Sequence, residues 1–331
     1  MRRLFAVLIL SMLALGCGSK RPPGGNGGNG AGQLYVATPG SIFRFSNALA
    51  ATGSVLPAAT ISGGTTGLSA PQRLLVDTAA DRLFVANQGG GSVLIFDNAS
   101  TVTGNVAANR TIFGGATTLV APFDLALDTA NNLLYVADGT SIMVFAGAST
   151  ISGNTPPVRS ISMGFSITGI LLTTASNQLF VANSAGQAVV RLDGASSQNG
   201  AAVVAASITG VSTSLAHPSG LAVDGSGRLV VSNSGVPTSL TLYANATTAT
   251  GNVTPVANVN GSTTQLQSPG QVLFNSSVTT GELYVVDSLA GRILIFSNET
   301  TVNGNVAPAR TISAPGLVAN AVNGLALDAT R

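Results

Sequence analysis

The stretch LALDTANNLLYVAD (Leu125–Asp138) decides the fold, because both of its halves recur along most of the chain. The first half is an apolar run closed by a polar residue. It returns as LLVD (Leu74–Asp77), LALD (Leu125–Asp128), ILLT (Ile170–Thr173), LAVD (Leu221–Asp224), VLFN (Val272–Asn275) and LALD (Leu325–Asp328). The closing residues stand 51, 45, 51, 51 and 53 positions apart. The second half returns as LFVAN ending at Asn87, LYVAD at Asp138, LFVAN at Asn183, LVVSN at Asn233 and LYVVD at Asp287. A third apolar run follows each (VLIF at Val93–Phe96, ILIF at Ile293–Phe296), then a Gly-Asn turn in most copies and a more polar run such as RTIF at Arg110–Phe113. Four short strands per unit of about fifty residues predict the blade of a β-propeller.

The two ends of the repeat region set the blade count. The last copy stops after its first strand, at Leu325–Asp328, and the first begins with a second strand, Gln33–Ala37. Joined, they make one blade beside five complete ones, so the expected fold is all-β, a six-bladed propeller closed by pairing the N- and C-terminal segments. The blades are expected near 71–121, 122–168, 169–216, 217–268 and 269–321, with the split blade at 322–331 plus 33–70. Such closure leaves no unpaired sheet edge at the seam.

Ahead of the repeats, Arg2-Arg3 and the apolar run Leu4–Leu15 have the form of a signal peptide over residues 1–16. Twelve apolar residues are too few for a bilayer span, which takes about 20. Leu13-Ala-Leu-Gly-Cys17 resembles the lipobox of bacterial lipoproteins, with Ala14 where the pattern prefers Leu. The resemblance implies a diacylated Cys17 as the mature N-terminus. Cys17 is the single cysteine of the chain, which excludes disulfides and cysteine metal sites. Gly18 in place of Asp implies the outer membrane by the same resemblance. Residues 17–32, with Pro22-Pro23 and a Gly/Asn tract, read as a lipidated tether.

Charge narrows the partners. Removal of Arg2 and Arg3 takes the 14 basic residues to 12, equal to the 12 acidic ones. With one lysine (Lys20) and no basic stripe, the mature chain lacks what counterion release from nucleic acid requires.

Pro218-Ser-Gly-Leu-Ala-Val-Asp224 and Leu134-Tyr-Val-Ala-Asp138 resemble the NHL-repeat family, and the YVTN surface repeats look similar. The resemblance covers about 300 residues and implies fold more strongly than function. In a propeller the loop after each second strand and the loop before each inner strand share one face. Two rings are therefore expected at the channel mouth, forming a polar rim. The first is Thr38, Asn87, Asp138, Asn183, Asn233 and Asp287; the second is Arg73, Asp124, Gly169, Gly220, Gln271 and Gly324. Asn and Asp at strand ends also serve as loop caps. Arg73, Asp124 and Gln271 stand out because they replace glycine, and His217 belongs to the same face. Asp77, Asp128, Asp224 and Asp328 read as turn caps on the opposite face. Arg110, Arg159 and Arg310 read as charges that blunt the rim strands against edge pairing.

Two functions fit this reading. One is a non-catalytic envelope module binding a protein, peptide or glycan, without cofactor or metal. The alternative is a metal-dependent enzyme like the six-bladed gluconolactonase-type hydrolases or streptogramin lyases. Such catalysis needs converging carboxylates or imidazoles. The chain offers one histidine and two glutamates, Glu282 and Glu299, both placed on the far face, leaving Asp124, Asp138 and Asp287 as possible ligands. The absence of tryptophan argues against a quinone-type site. The binding module is the expectation.

Overall fold

The computed structural model describes residues 32–298 and 300–331. Cys17, the signal segment and the tether lie outside them. Six small sheets stand in a ring. In blade 1 the strands are Pro71–Asp77, Arg82–Asn87, Ser92–Asp97 and Arg110–Ile112, from channel to rim. Blade 2 has Pro122–Asp128, Leu133–Asp138, Ser141–Ala146 and Arg159–Ser162, and blade 3 has Gly169–Thr173, Gln178–Asn183, Ala188–Asp193 and Ala206–Thr209. Blade 4 has Pro218–Val223, Leu229–Asn233, Ser239–Tyr243 and Ala257–Asn260, and blade 5 has Pro269–Asn275, Glu282–Asp287, Arg292–Ser297 and Arg310–Ser313. In blade 6 the inner strand Gly324–Asp328 pairs antiparallel with Gln33–Thr38, so the C-terminal segment supplies what the N-terminal segment lacks.

The second strands are apolar through their centres on both faces for a simple reason: both sheet faces are covered. Side chains alternate across a strand. Leu83 and Val85 therefore pack toward blade 6, while Phe84 and Ala86 pack toward blade 2. The core is accordingly divided into six apolar wedges, one at each blade junction. Every rim strand buries a branched residue in the same alternation (Ile61, Ile112, Ile161, Ile208, Val259 and Ile312), joined in three blades by Ala59, Ala206 or Ala257 two positions earlier.

The Gly-Asn turn has a role that the repeat pattern alone did not disclose. Each rim strand pairs in parallel with a glycine of the next blade: Ile61 with Gly104, Ile112 with Gly153, Ile161 with Gly200, Ile208 with Gly251, Val259 with Gly304 and Ile312 with Gly53. These bridges form a belt around the ring and occupy the rim edge. The asparagine after the glycine reaches back to the preceding blade. Asn105, Asn154, Asn252 and Asn305 accept a backbone N–H from Thr65, Ala116, Ser212 and Thr263 at 2.7–2.8 Å. Opposite each of them stands a glycine (Gly63, Gly114, Gly210, Gly261) with φ between +105° and +122°. At the two junctions where the asparagine is absent, Ala201 and Ser54, the glycine is absent too, replaced by Met163 and Ala314. Glycine is needed for two reasons at once: the positive φ and the missing Cβ, which at Gly114 would lie 2.6 Å from Asn154 Oδ1.

The rim arginines do more than blunt an edge. Arg110 pairs with Asp97 at 2.9 Å and donates to the Ser149 carbonyl of blade 2 at 2.7 Å. Arg310 holds Glu282 at 2.7 Å and donates to the Ala48 and Ala51 carbonyls of blade 6. Arg191 reaches the Thr247 carbonyl in the same way. Edge protection comes instead from the parallel belt, which covers the strand that these side chains leave. Arg159 is also drawn in, its Nε and Nη2 being buried without a protein acceptor.

Two outcomes follow from this construction. Removal of Asn323–Arg331 takes the inner strand from blade 6 and opens the ring; its thermal melt, followed by circular dichroism, is expected to lose the cooperative transition of the full chain. Gly114→Ala is expected to destabilise by about 1–3 kcal/mol in urea titration. Because part of that cost is the clash with Asn154, the double variant with Asn154→Ala is expected to cost less than the sum of the single changes.

Candidate functional site

The two rings expected at the mouth lie where the topology requires, at the upper ends of the inner and second strands. Their side chains are not arranged as an open polar rim. The first ring is taken up by its own loops. Asn87 accepts the Ser69 N–H at 2.7 Å and donates to the Gly67 carbonyl and Ser92 Oγ. Asp138 accepts the N–H groups of Val120 and Ala121 at 2.6 and 3.0 Å. Asn233 accepts the Ala216 N–H, and Asn183 that of Gly186. Asp287 accepts from Gln267 and Ser268 and pairs with Arg292 at 3.2 Å. Thr38 donates to the Ser41 carbonyl. A loop N–H left without acceptor in a buried position costs about 1–3 kcal/mol, which accounts for a polar residue at each strand end.

The second ring closes the channel. Four inner strands shift register at their upper ends, as between Pro71 and Leu74 or Pro269 and Val272. A bulge re-aims side chains, here toward the axis, where six strands converge and little room is left. At three junctions backbone meets backbone. A Cβ on Gly169, Gly220 or Gly324 would lie 1.9, 2.3 or 2.2 Å from the carbonyl oxygen of Ser219, Gly270 or Gln72 in the next blade. At two junctions a side chain bridges the gap. Asp124 accepts the Ile170 N–H at 2.9 Å, and Gln271 accepts the Leu325 N–H at 2.8 Å. At the sixth, Arg73 stacks 5.2 Å above the Phe123 ring and crosses the axis to Ser219 Oγ at 3.1 Å, on the opposite blade. The residues that replace glycine are thus three further ways of closing the same junction.

Arg73 and Asp124 are both buried. Burial holds the Asp124 carboxyl above the usual carboxylate range, against the opposing pull of Arg73 and of the N–H groups of Ile170 and Leu125. Burial likewise lowers the Arg73 guanidinium, with Asp124 pulling it back. Arg73 Nε and Nη1 find no protein acceptor.

Below this closure the axis widens into a cavity of about 260 Å³ walled by Leu75, Leu127, Leu171, Leu172, Leu273 and Leu327. Asp124 and Gln271 stand at its closed end. The carboxylates at its open end face away from it: Asp77, Asp128, Asp224 and Asp328 accept N–H groups of the turns that follow them. Among the described residues, no three His, Asp or Glu side chains come together as a metal would need. Asp124, Asp138 and Asp287 are each held separately by backbone N–H groups. His217 is exposed at φ +52°, with Nδ1 3.2 Å from Ser184 Oγ.

The surface around the closed end was not anticipated from the repeats. Twelve connections form it: those before the inner strands (62–70, 113–121, 163–168, 210–217, 261–268, 314–323) and those after the second strands (39–40, 88–91, 139–140, 184–187, 234–238, 288–291). None contains Asp, Glu, Lys or Arg, and His217 is their one imidazole. Their tips are apolar: Val211 and Val236 are 97% and 94% exposed, with Val120, Val318 and Leu289 also open. Apart from Arg292–Asp287 at the strand ends of blade 5, the ion pairs gather at the other face, as in Arg82–Asp97, Arg228–Asp224 and Arg331–Asp328. The clue was available in the sequence as the absence of charge from every second connection.

No family model matches the chain, and no curated protein does either. Solved structures match the fold. A chain of the nidogen/laminin complex aligns with TM-score 0.60 and 15% identity over 89% of this chain and 98% of that one. A protein of unknown function from Bacteroides caccae aligns with TM-score 0.60 and 10% identity over 90% and 98%. At these identities the likeness is one of fold, and it supports the propeller.

The buried carboxyl gives a signed pH dependence. Its raised pKa means that the folded state favours the protonated form. The associated stability is full below the unfolded value of about 3.9 and is lost as pH rises through the folded value. The stability difference between wild type and Asp124→Asn is therefore expected to shift against wild type as pH is raised from about 4, read by urea unfolding at several pH values. A difference that stays flat or moves the other way contradicts the burial argument.

Proposed function

We propose that the chain is a lipid-anchored, non-catalytic binding module of the bacterial envelope, which engages an uncharged patch of a protein partner through its upper face. The observation that carries this reading is the contrast between the two faces. Twelve neighbouring loops without an ionised carboxylate, ammonium or guanidinium, tipped by exposed valines, suit contact by apolar burial and hydrogen bonding. Exposed apolar groups also occur before the rim strands, at Leu56 and Val203 for example, but only the upper ones stand among loops without charge, and an exposed apolar patch of that kind marks an interaction site. The likeness to a chain of the nidogen/laminin complex is compatible with a protein partner at the level of fold.

The anchor read at Cys17 suits this orientation. Gln33, where the described ring begins, pairs with Ser46 and Asp328 at the lower ends of their strands. A tether over residues 17–32 would join the lower face to the membrane with a reach of roughly 20 Å. The upper face would then point away from the lipid. Outer-membrane placement belongs to the same proposal.

Site-specific photo-crosslinkers at Val211 and Val236, compared with one at Ala79 on the lower face, test the reading in cells. Discrete protein adducts are expected from the two upper positions and not from Ala79. Because no charge pairing contributes, they should persist when ionic strength is raised, which screens exposed charges beyond about 10 Å at 0.1 M. Adducts from Ala79 alone, or adducts abolished by salt, would overturn it. Cys17→Ala is expected to move the chain from the membrane to the soluble fraction.

A further inference from the structure

We infer that the axial cavity is a binding site for a small uncharged molecule with an apolar body and an amide-like head, entering from the lower face. The inference is independent of the upper-face reading, since the glycine-lined closure separates the two.

The shape argument comes first. Backbone contact at Gly169, Gly220 and Gly324 shuts the upper end, so the cavity is a blind pocket. Its volume of about 260 Å³ lies just below the range of drug-sized ligand sites, about 300–1,000 Å³, which limits the occupant to a smaller molecule. From Asp124 down to Leu127 the inner strand rises about 10 Å at ~3.3 Å per residue, room for a short aliphatic chain. The walls are leucines that the fold leaves half-buried. Leu75, Leu127, Leu171, Leu273 and Leu327 would lose their remaining water to an apolar occupant, at roughly 25 cal/mol per Å² of apolar surface removed from water.

The chemistry of the head is set by the closed end. Asp124 and Gln271 belong to blades 2 and 5, which stand opposite each other in the ring, and both are more than nine-tenths buried. Each is oriented by a backbone N–H of the following blade. Asp124 also accepts the Leu125 N–H at 2.8 Å, so each of its carboxyl oxygens keeps one lone pair as an acceptor, while the Gln271 Nε2 hydrogens are left as donors. A donor facing an acceptor across a narrow pocket matches a group that offers both, and a primary carboxamide does so: its carbonyl accepts from Gln271 and its N–H donates to Asp124. An anion is disfavoured by the Asp124 carboxyl that lines the closed end.

Hexanamide serves as the probe, with hexanoate as its charged counterpart. Both are titrated by saturation-transfer NMR against the full chain purified in maltoside micelles. Saturable hexanamide binding is expected, with hexanoate at least tenfold weaker. Leu127→Phe fills the lower channel and is expected to weaken hexanamide at least tenfold without shifting the melt; Leu171→Phe provides the same test should that variant fold poorly. Absence of saturable binding, equal binding of hexanoate, or full binding by folded channel-filled variants would overturn the inference. Val211→Ser with Val236→Ser is expected to bind hexanamide like wild type, so the two readings can fail separately.

Discussion

Each blade of this protein has two apolar faces, and that constraint governs the rest of the molecule. A sheet covered on one side alternates apolar with polar residues; here the second strands run apolar through their centres because Phe84 and Leu83 face different neighbours. No blade can bury both faces alone, and a linear stack would leave two faces bare at its ends. Closing the stack into a ring removes the ends. The pairing of Gly324–Asp328 with Gln33–Thr38 therefore completes two wedges of core at once, between blades 5 and 6 and between blades 6 and 1.

Closure has different costs at the rim and at the axis. At the rim, blades diverge, and the gap is spanned by backbone: the parallel glycine bridges and the asparagines that cap the preceding turn. At the axis, blades converge, and the difficulty is too little room. Glycine solves it at three positions by letting chains touch. Asp124 and Gln271 solve it by replacing one backbone contact with a side-chain hydrogen bond to the next strand, and Arg73 by lying across the opening. All three can be buried because their polar atoms, or in the case of Arg73 part of them, meet partners there.

This contrast explains what could be read in advance. Strand order, blade count and the seam were legible because they follow from apolar periodicity and the spacing of LALD-like strings, which need no knowledge of neighbours. The rim belt was half legible. Glycine and asparagine were visible, but their meaning lies in pairing Gly114 with Asn154 across a junction, and that pairing emerges only when residues some forty positions apart are compared copy by copy. The geometry at the axial positions was not legible, for a physical reason. Divergence at Arg73, Asp124 and Gln271 looked like local use at an open rim, but a register shift of the inner strands turns those side chains inward. Bulges of that kind leave little trace in composition. Nor does a count of charges reveal that they are sorted by face; a balanced total conceals uncharged upper loops and a lower face that holds most of the ion pairs.

The sorting itself has a structural origin. Third and rim strands are joined at the lower face by long connections, and there Arg110, Arg191 and Arg310 fasten three of the blades to the next through carbonyls of those connections. Carboxylates gather beside them to satisfy the remaining guanidinium donors, as Asp97 and Glu282 do. The upper connections are fastened mainly by Asn, Asp and Thr side chains to backbone groups, with Arg292 on Gln265 and Asp287 as the charged exception, and the loops themselves carry no charge. Building the ring thus polarises it without any selection for a partner. A partner that avoids charge finds one face already suited to it, while the blind channel behind that face remains open only on the other.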